Sequence, residues 1–181
     1  MNAARLILSR DQLLIVAHNN IIRGLVTIAN LMELPWSSIC QDDVTSPFCS
    51  QIDAVQGAFV SSCSALQPSR AQRRIQHHPW LDLIPFIAFR DNVLAAIEKL
   101  WAKQPNRETE LCEDLTGAGE LALRTGRPGM MVWDDPWDAC SWEVSEEFAQ
   151  KWPQMLVGCH DLVTASNCWR RSRGEPTLQR G

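Results

Sequence analysis

Between Met130 and Glu143 the chain reads MMVWDDPWDACSWE, which sets Trp133, Trp137 and Trp142 among Asp134, Asp135, Asp138 and Glu143. A segment meant for the core does not place two adjacent acids after Met-Met-Val-Trp, because a buried carboxylate is costly unless paired. A segment meant for solvent does not carry three indoles. The pattern reads as the rim of a pocket, where aromatic faces hold a ligand and carboxylates bind a cation or move a proton. The plainer alternative is a surface turn in which an Asp caps the next helix.

Other residue types could also do chemistry. His77 and His78 precede Pro79, which biases His78 away from helical geometry. One imidazole could act as a general base near neutral pH, or the pair could pin the HHPW turn to the core. Cys140 and Ser141 could carry an acyl group, but acidic neighbours raise the pKa of Cys140, so covalent catalysis is not expected. Arginines bunch at Arg70, Arg73 and Arg74 and again at Arg170, Arg171 and Arg173, each cluster either a phosphate-binding patch or a solvated face.

The elements that must position these groups are mainly helical. Ser9-Arg10-Asp11-Gln12 has the form of a capping box, and Leu14, Ala17, Ile21, Leu25, Ile28 and Met32 follow at helical spacing until Pro35. His18 and Asn19 on this helix read as core or pocket-lining polar groups. From Ser37 to Pro79 the sequence turns to Ser, Gln, Asp, Cys and Pro, which predicts loops, with Gly57-Ala58-Phe59-Val60 a brief strand or turn. Arg90-Asp91-Asn92 opens a second helix that stops before Pro105. A third runs from Asn106 or Glu108 to Leu115, closed by Gly117 and Gly119. Met130 to Trp133 predicts a short extended segment entering the acidic turn. Helical periodicity resumes over Val144–Trp152 and again over Cys159–Trp169.

With 181 residues, 45% of them hydrophobic and 21% charged, the chain is expected to form a single compact, mainly α domain, residues 1–181 with a core over about 8–178. Long loops and at most a small β element complete it. A net charge of -4 and a pI near 5.5 exclude a uniformly basic nucleic-acid coat. Seven irregularly spaced cysteines without a CxxC indicate neither a disulfide framework nor a structural zinc site. No secretory segment is visible, and polar residues interrupt Leu13–Met32, so a cytoplasmic protein with reduced thiols and no membrane partner is expected. No glycine-rich phosphate loop, GxSxG elbow or HExxH helix occurs.

The order His77-His78-Pro79-Trp80-Leu81-Asp82, Arg90-Asp91-Asn92, Trp133-Asp134-Asp135-Pro136-Trp137-Asp138, Trp142-Glu143 and Asn167-Cys168-Trp169-Arg170 resembles a fungal domain of unknown function. That domain lies C-terminal to the basic zipper of many bZIP-type regulators. Its usual string is Trp-Gly-Asp-Pro-Trp, and here Asp134 stands at the glycine. The change moves the segment toward the Asp-Asp-x-x-Glu motif of arginine-containing cyclodipeptide synthases, although the last acid here is the shorter Asp138. Those enzymes join arginine to a second amino acid as a diketopiperazine, with aminoacyl-tRNA as donor.

The resemblance implies that Asp134, Asp135 and Asp138 belong to the active site; Glu143, His77 and His78 stand beside them as catalytic candidates on the chemistry of their side chains. Trp133, Trp137, Trp142, Asp82, Arg90 and Asp91 are the candidates for substrate binding, the indoles because they could stack on a guanidinium. The partners would be arginyl-tRNA and a second aminoacyl-tRNA, held by Arg70, Arg73, Arg74, Arg170, Arg171 and Arg173. No cofactor or metal is implied, and magnesium dependence is left open. No segment combines a basic helix with leucine heptads, so direct binding to duplex DNA is not expected. Two other readings stand beside the transferase: a non-catalytic regulatory or interaction domain related to the bZIP factors, and a metal-binding aspartate motif like that of terpene cyclases. Against the last, Pro136 would break the helix such a motif occupies.

Overall fold

A computed structural model of the chain describes residues 10–41, 43–49, 63–104 and 106–178, with side chains described in the first helix from residue 15 onward. The expected capping box around Ser9 and the expected strand or turn at Gly57–Val60 fall outside the described residues.

The fold is mainly α with one small antiparallel sheet. Helix α1 (Arg10–Leu31) follows its apolar repeat: Ala17, Ile21, Leu25, Ile28, Ala29 and Met32 are all buried. It ends where Glu33, at φ 58°, lets the Leu34 N–H reach Ala29 O at 2.9 Å and the Glu33 N–H reach Asn30 O at 3.1 Å. This left-handed cap uses up the last carbonyls just before Pro35. There follow α2 (Trp36–Ile39), α3 (Ile87–Lys99), α4 (Asn106–Thr116), α5 (Glu120–Thr125), α6 (Glu146–Lys151) and α7 (His160–Ser172). Short 3-10 turns lie at Pro47–Cys49, Ser64–Leu66, Pro79–Leu83, Ala139–Ser141 and Pro153–Leu156. Among the described residues no helix is long and apolar enough to cross a membrane.

Three local differences from the expected pattern have physical causes. Helix α3 begins at Ile87, ahead of Arg90, because Arg90 belongs to its buried face with Phe89, Val93, Leu94 and Ala96. Helix α5 has only six residues, too few for its period to stand out between Gly119 and Gly126. Val144 ends a strand and does not open a helix: Ser145 is the N-cap of α6, its Oγ accepting the Phe148 N–H at 3.2 Å.

The sheet pairs β1 (Met130–Val132) with β2 (Trp142–Val144), aligning Met130 with Val144, Met131 with Glu143 and Val132 with Trp142. Every residue of both strands is buried, since α1 packs on β1 and α7 packs on β2. On α7, Ser166 Oγ accepts the Val144 N–H at 2.9 Å and donates to Leu162 O at 2.7 Å. His18 donates from Nδ1 to Thr116 O at 2.8 Å and ties α1 to the end of α4, the structural role read for it.

Gly129 admits β1 to this core. Its N–H donates to Asp114 O at 2.7 Å and its carbonyl accepts from Ser145 N at 2.9 Å. A Cβ there would stand 2.3 Å from the Phe148 ring and 2.6 Å from Asp114 O. Neither a packed ring nor backbone can withdraw, so Gly129→Ala is expected to destabilise the fold by about 3 kcal/mol or more. Urea unfolding checks this, and a loss under about 0.5 kcal/mol would contradict the close approach.

Candidate functional site

The acidic turn is the loop of the β-hairpin. Trp133 N–H donates to Ser141 O at 2.9 Å at its base, and the buried Trp142 indole donates to Pro136 O at 2.7 Å, drawing the Asp-Pro bend back over the sheet. Pro136 is buried while Asp134 and Asp135, the two residues before it, are exposed. The bend rests on α1 at Gly24, where a Cβ would lie 3.3 Å from both Pro136 Cβ and Val132 Cγ2. Helix and hairpin loop meet closely there and diverge to either side.

Their divergence leaves an open groove of about 350 Å³. One wall is the α1 face Asn20, Arg23, Gly24 and Thr27; the other is the run from Val132 to Trp137. Among the described residues, no side-chain hydrogen bond or ion pair engages Asp134, Asp135 or Arg23. The groove thus presents two free carboxylates and one free guanidinium against indole surface, a setting that can hold a small charged ligand.

Trp133 is fixed from behind. Its Nε1–H donates to Glu143 Oε2 at 2.8 Å, and its ring meets Trp169 at 5.7 Å between centroids. Glu143 is fully buried and receives Arg173 on both oxygens, with Nη1 to Oε2 at 2.9 Å and Nη2 to Oε1 at 2.5 Å. The Arg173 guanidinium also lies 5.5 Å from the centre of the Trp133 ring and bonds Glu175 at 3.0 Å. Burial works against its charge, but Glu175 and Glu143 outweigh burial and raise its pKa. Arg173 in turn holds the Glu175 carboxyl below its ordinary range.

Several expected site residues are therefore structural. Glu143 is the buried anchor of Trp133 and Arg173 and does not line the groove. Trp142, fully buried, meets Phe86 edge-on at 5.9 Å and belongs to the core. Asp138 caps the Ala139–Ser141 turn, its Oδ1 accepting the Cys140 N–H at 2.9 Å. Its charge is also the main reason the Cys140 thiol is pushed up in pKa. Trp137 lines the groove.

His77, Asp82 and Arg90 form a second, closed polar cluster. Asp82 Oδ1 accepts from His77 Nε2 at 2.9 Å and from Gln72 Nε2 at 2.6 Å, and Oδ2 accepts from Ser46 Oγ at 2.6 Å. His77 Nδ1 lies 2.7 Å from Ile75 O, so both ring nitrogens face acceptors, an arrangement that the imidazolium form satisfies. Burial opposes that charge, yet the Asp82 hydrogen bond and charge prevail and raise its pKa. Arg90 Nε donates to Gln72 Oε1 at 2.9 Å, and its other nitrogens reach Ala65 O, Ile84 O and Gln67 O. Burial lowers its pKa to about 10 against the charges of Asp82 and Asp91.

Cys49 approaches this histidine, with Sγ 3.5 Å from Nδ1, but its thiol donates to Ile75 O and Gln72 O and burial pushes its pKa up. The proton arrangement is the reverse of a cysteine nucleophile beside a free base. His78 caps the Pro79–Leu83 turn, accepting the Trp80 N–H on Nδ1 at 3.3 Å and donating from Nε2 to Gln41 O at 2.8 Å. Asp91 accepts from Ser69 Oγ at 2.5 Å. None of these five acids, bases and cations (His77, His78, Asp82, Arg90, Asp91) lines the groove.

The arginine clusters also divide. Arg70, Arg73 and Arg74 are exposed, Arg74 pairing with Glu98 at 3.2 Å, and Arg171 is exposed on α7. Arg170 is buried against Glu146 at 3.0 Å and Pro176 O, so it is a structural cation and not a phosphate contact. Arg173 is held by Glu143 and Glu175, as above. Among the described residues no group of three or more His, Cys, Asp or Glu side chains is arranged to hold a metal ion.

The α1 wall was missing from the sequence reading. Asn20, Arg23, Gly24 and Thr27 follow a three-, four- and seven-residue helical spacing alongside the apolar stripe, three polar residues around one buried glycine on a single face.

A model of a domain of unknown function, DUF3425, matches residues 48–163, well over half of the chain. The chain belongs to the DUF3425 family. No curated protein and no solved structure matches it. The matched segment of the DUF3425 domain contains the hairpin, its acidic loop and the His77–Arg90 cluster. Helix α1 and the Arg170–Arg173 end of α7 lie outside it.

Proposed function

We propose that the groove between α1 and the hairpin loop is an arginine-recognising active site, and that this protein is an aminoacyl-tRNA-dependent cyclodipeptide synthase joining arginine to a second amino acid. The observation carrying this reading is the pair Asp134 and Asp135, exposed and unpaired on a groove walled by Trp133 and Trp137. A carboxylate there can pair with a guanidinium while the indole faces stack on it. Its neighbour can accept the proton that the attacking amine loses as the peptide bond forms and the tRNA 3′-hydroxyl leaves. Of the two arginine clusters, Arg70, Arg73, Arg74 and Arg171 are exposed, with Arg74 paired to Glu98, and these exposed side chains are the candidates to meet the tRNA backbone.

Mass spectrometry of extracts from a host expressing the chain is expected to show new cyclo-arginine dipeptides. A host expressing Asp134→Gly, which restores the regulator-type string, is expected to lose them while the protein stays folded. Undiminished product from Asp134→Gly would remove Asp134 from the reaction.

A second reading has its own support. Asp138, Glu143, His77 and Asp82 are all committed to internal bonds, which leaves the groove two acids and no base oriented by a third group. In this reading the domain is a non-catalytic interaction module related to bZIP-type regulators, and the groove receives a basic side chain of a partner. No product from well-folded protein decides for it.

A further inference from the structure

The proposed function accounts for the acidic wall of the groove but not for the cation facing it. Arg23 is exposed on α1, one turn from Asn20 and from Thr27, and lines the same groove as Asp134 and Asp135. Two carboxylates and a guanidinium bordering one cleft would neutralise one another if the groove were only a surface crease; among the described residues they do not. The Arg23 carbonyl accepts the Thr27 hydroxyl at 2.8 Å, a bond within the helix that ties down Thr27 and does not involve the guanidinium. The Gly24 contact with Pro136 and Val132 fixes the spacing of the two walls. Opposite charges held on opposite walls by rigid elements select a ligand that carries both signs.

We infer that the groove binds a zwitterionic ligand of amino-acid size, its cationic end at Asp134 and Asp135 and its anionic group at Arg23. Arg23 is then a specificity-determining residue. The inference rests on the arginine-recognising reading for the identity of the cation. The anion has two sources of shared chemistry: the carboxylate of a free amino acid, or a phosphate at the tRNA acceptor end. A guanidinium bonds either through paired N–H donors.

The test is a titration of the whole chain labelled with 5-fluorotryptophan, reading the fluorine signal assigned to Trp137 through Trp137→Phe. The probes are L-arginine, agmatine, which is arginine without its carboxylate, and arginine joined by an amide to the trinucleotide CCA. Arginine or the trinucleotide conjugate is expected to bind about ten-fold or more tightly than agmatine. Arg23→Gln should reduce that probe to the agmatine level and leave agmatine unchanged, while Asp134→Asn with Asp135→Asn should weaken every probe. Dependence on Arg23 for free arginine names the carboxylate; dependence only for the conjugate names the phosphate. Equal binding of all probes to wild type and Arg23→Gln overturns the inference, as does no binding of any probe to folded wild type.

The host assay separates the two proposals. Product made equally by wild type and Arg23→Gln overturns the role of Arg23 and leaves the synthase reading intact. Arg23-dependent binding without product upholds the zwitterion site and removes the synthase reading.

Discussion

Glu143→Gln is expected to destabilise the protein by about 2–4 kcal/mol and to loosen the groove together with the fold. Glu143 is fully buried, while the Arg173 side chain keeps 30% of its exposure, so the pair lies at the protein edge of a buried ion pair. Breaking a fully buried pair costs about 3–5 kcal/mol because a charge is left uncompensated. Access to water and the second partner Glu175 reduce that figure for Arg173. The glutamine keeps the volume and can still accept from Trp133, but it turns N–H groups toward a guanidinium. A double variant, Glu143→Met with Arg173→Met, removes both charges and is expected to recover part of the loss. Urea unfolding of Glu143→Met, Arg173→Met and the double gives the coupling directly. Additive losses would show that the bidentate pair contributes nothing. Trp133 is oriented through the same carboxylate, so Glu143→Gln should also weaken any ligand that stacks on the groove.

The second large effect belongs to Asp82. Asp82→Ala would leave the buried His77 ring, the Gln72 amide and the Ser46 hydroxyl without their common acceptor, and about 3–5 kcal/mol is the expected loss. A pH signature accompanies it. His77 binds its proton more tightly folded than unfolded, where the ordinary value is 6.5. Its contribution is therefore complete below about pH 6.5 and is lost as pH rises through the higher folded value. The urea midpoint of the wild type should fall across this alkaline window, and His77→Gln should flatten that part of the profile. A wild-type midpoint indifferent to pH between about 6 and 9 would refute the charged ring.

What the sequence revealed depended on whether the physics was local. The apolar repeat of α1 and the glycine stop after α4 are short-range signals, and both stand in the fold. The acidic loop was legible as a pocket rim because its composition contradicts both core and solvent. The roles inside it were not, because adjacent letters face opposite ways: Pro136 and Trp142 turn inward while Asp134 and Asp135 turn out. Glu143 looked like a fourth site acid until Arg173, 30 residues away, arrived beside it. The stretch from Ser37 to Pro79 read as loops by its polarity. Ser46, Gln72 and His77 are instead polar groups turned inward around Asp82, a closed network no periodicity announces. Long-range pairing decided each of these cases.

The α1 helix lies ahead of the segment by which the family is recognised, yet it supplies Ile21, Leu25, Ile28 and Ala29, with Met32 just after it, to the common core. At the other end Arg173 lies beyond that segment and neutralises a carboxylate inside it. The stretch that similarity delineates is thus smaller than the cooperative unit. A fragment trimmed to residues 48–163 would bare the α1-facing side of β1, strand the Glu143 charge in apolar surroundings and keep only one bank of the groove. Boundaries drawn from resemblance would cut through the groove itself.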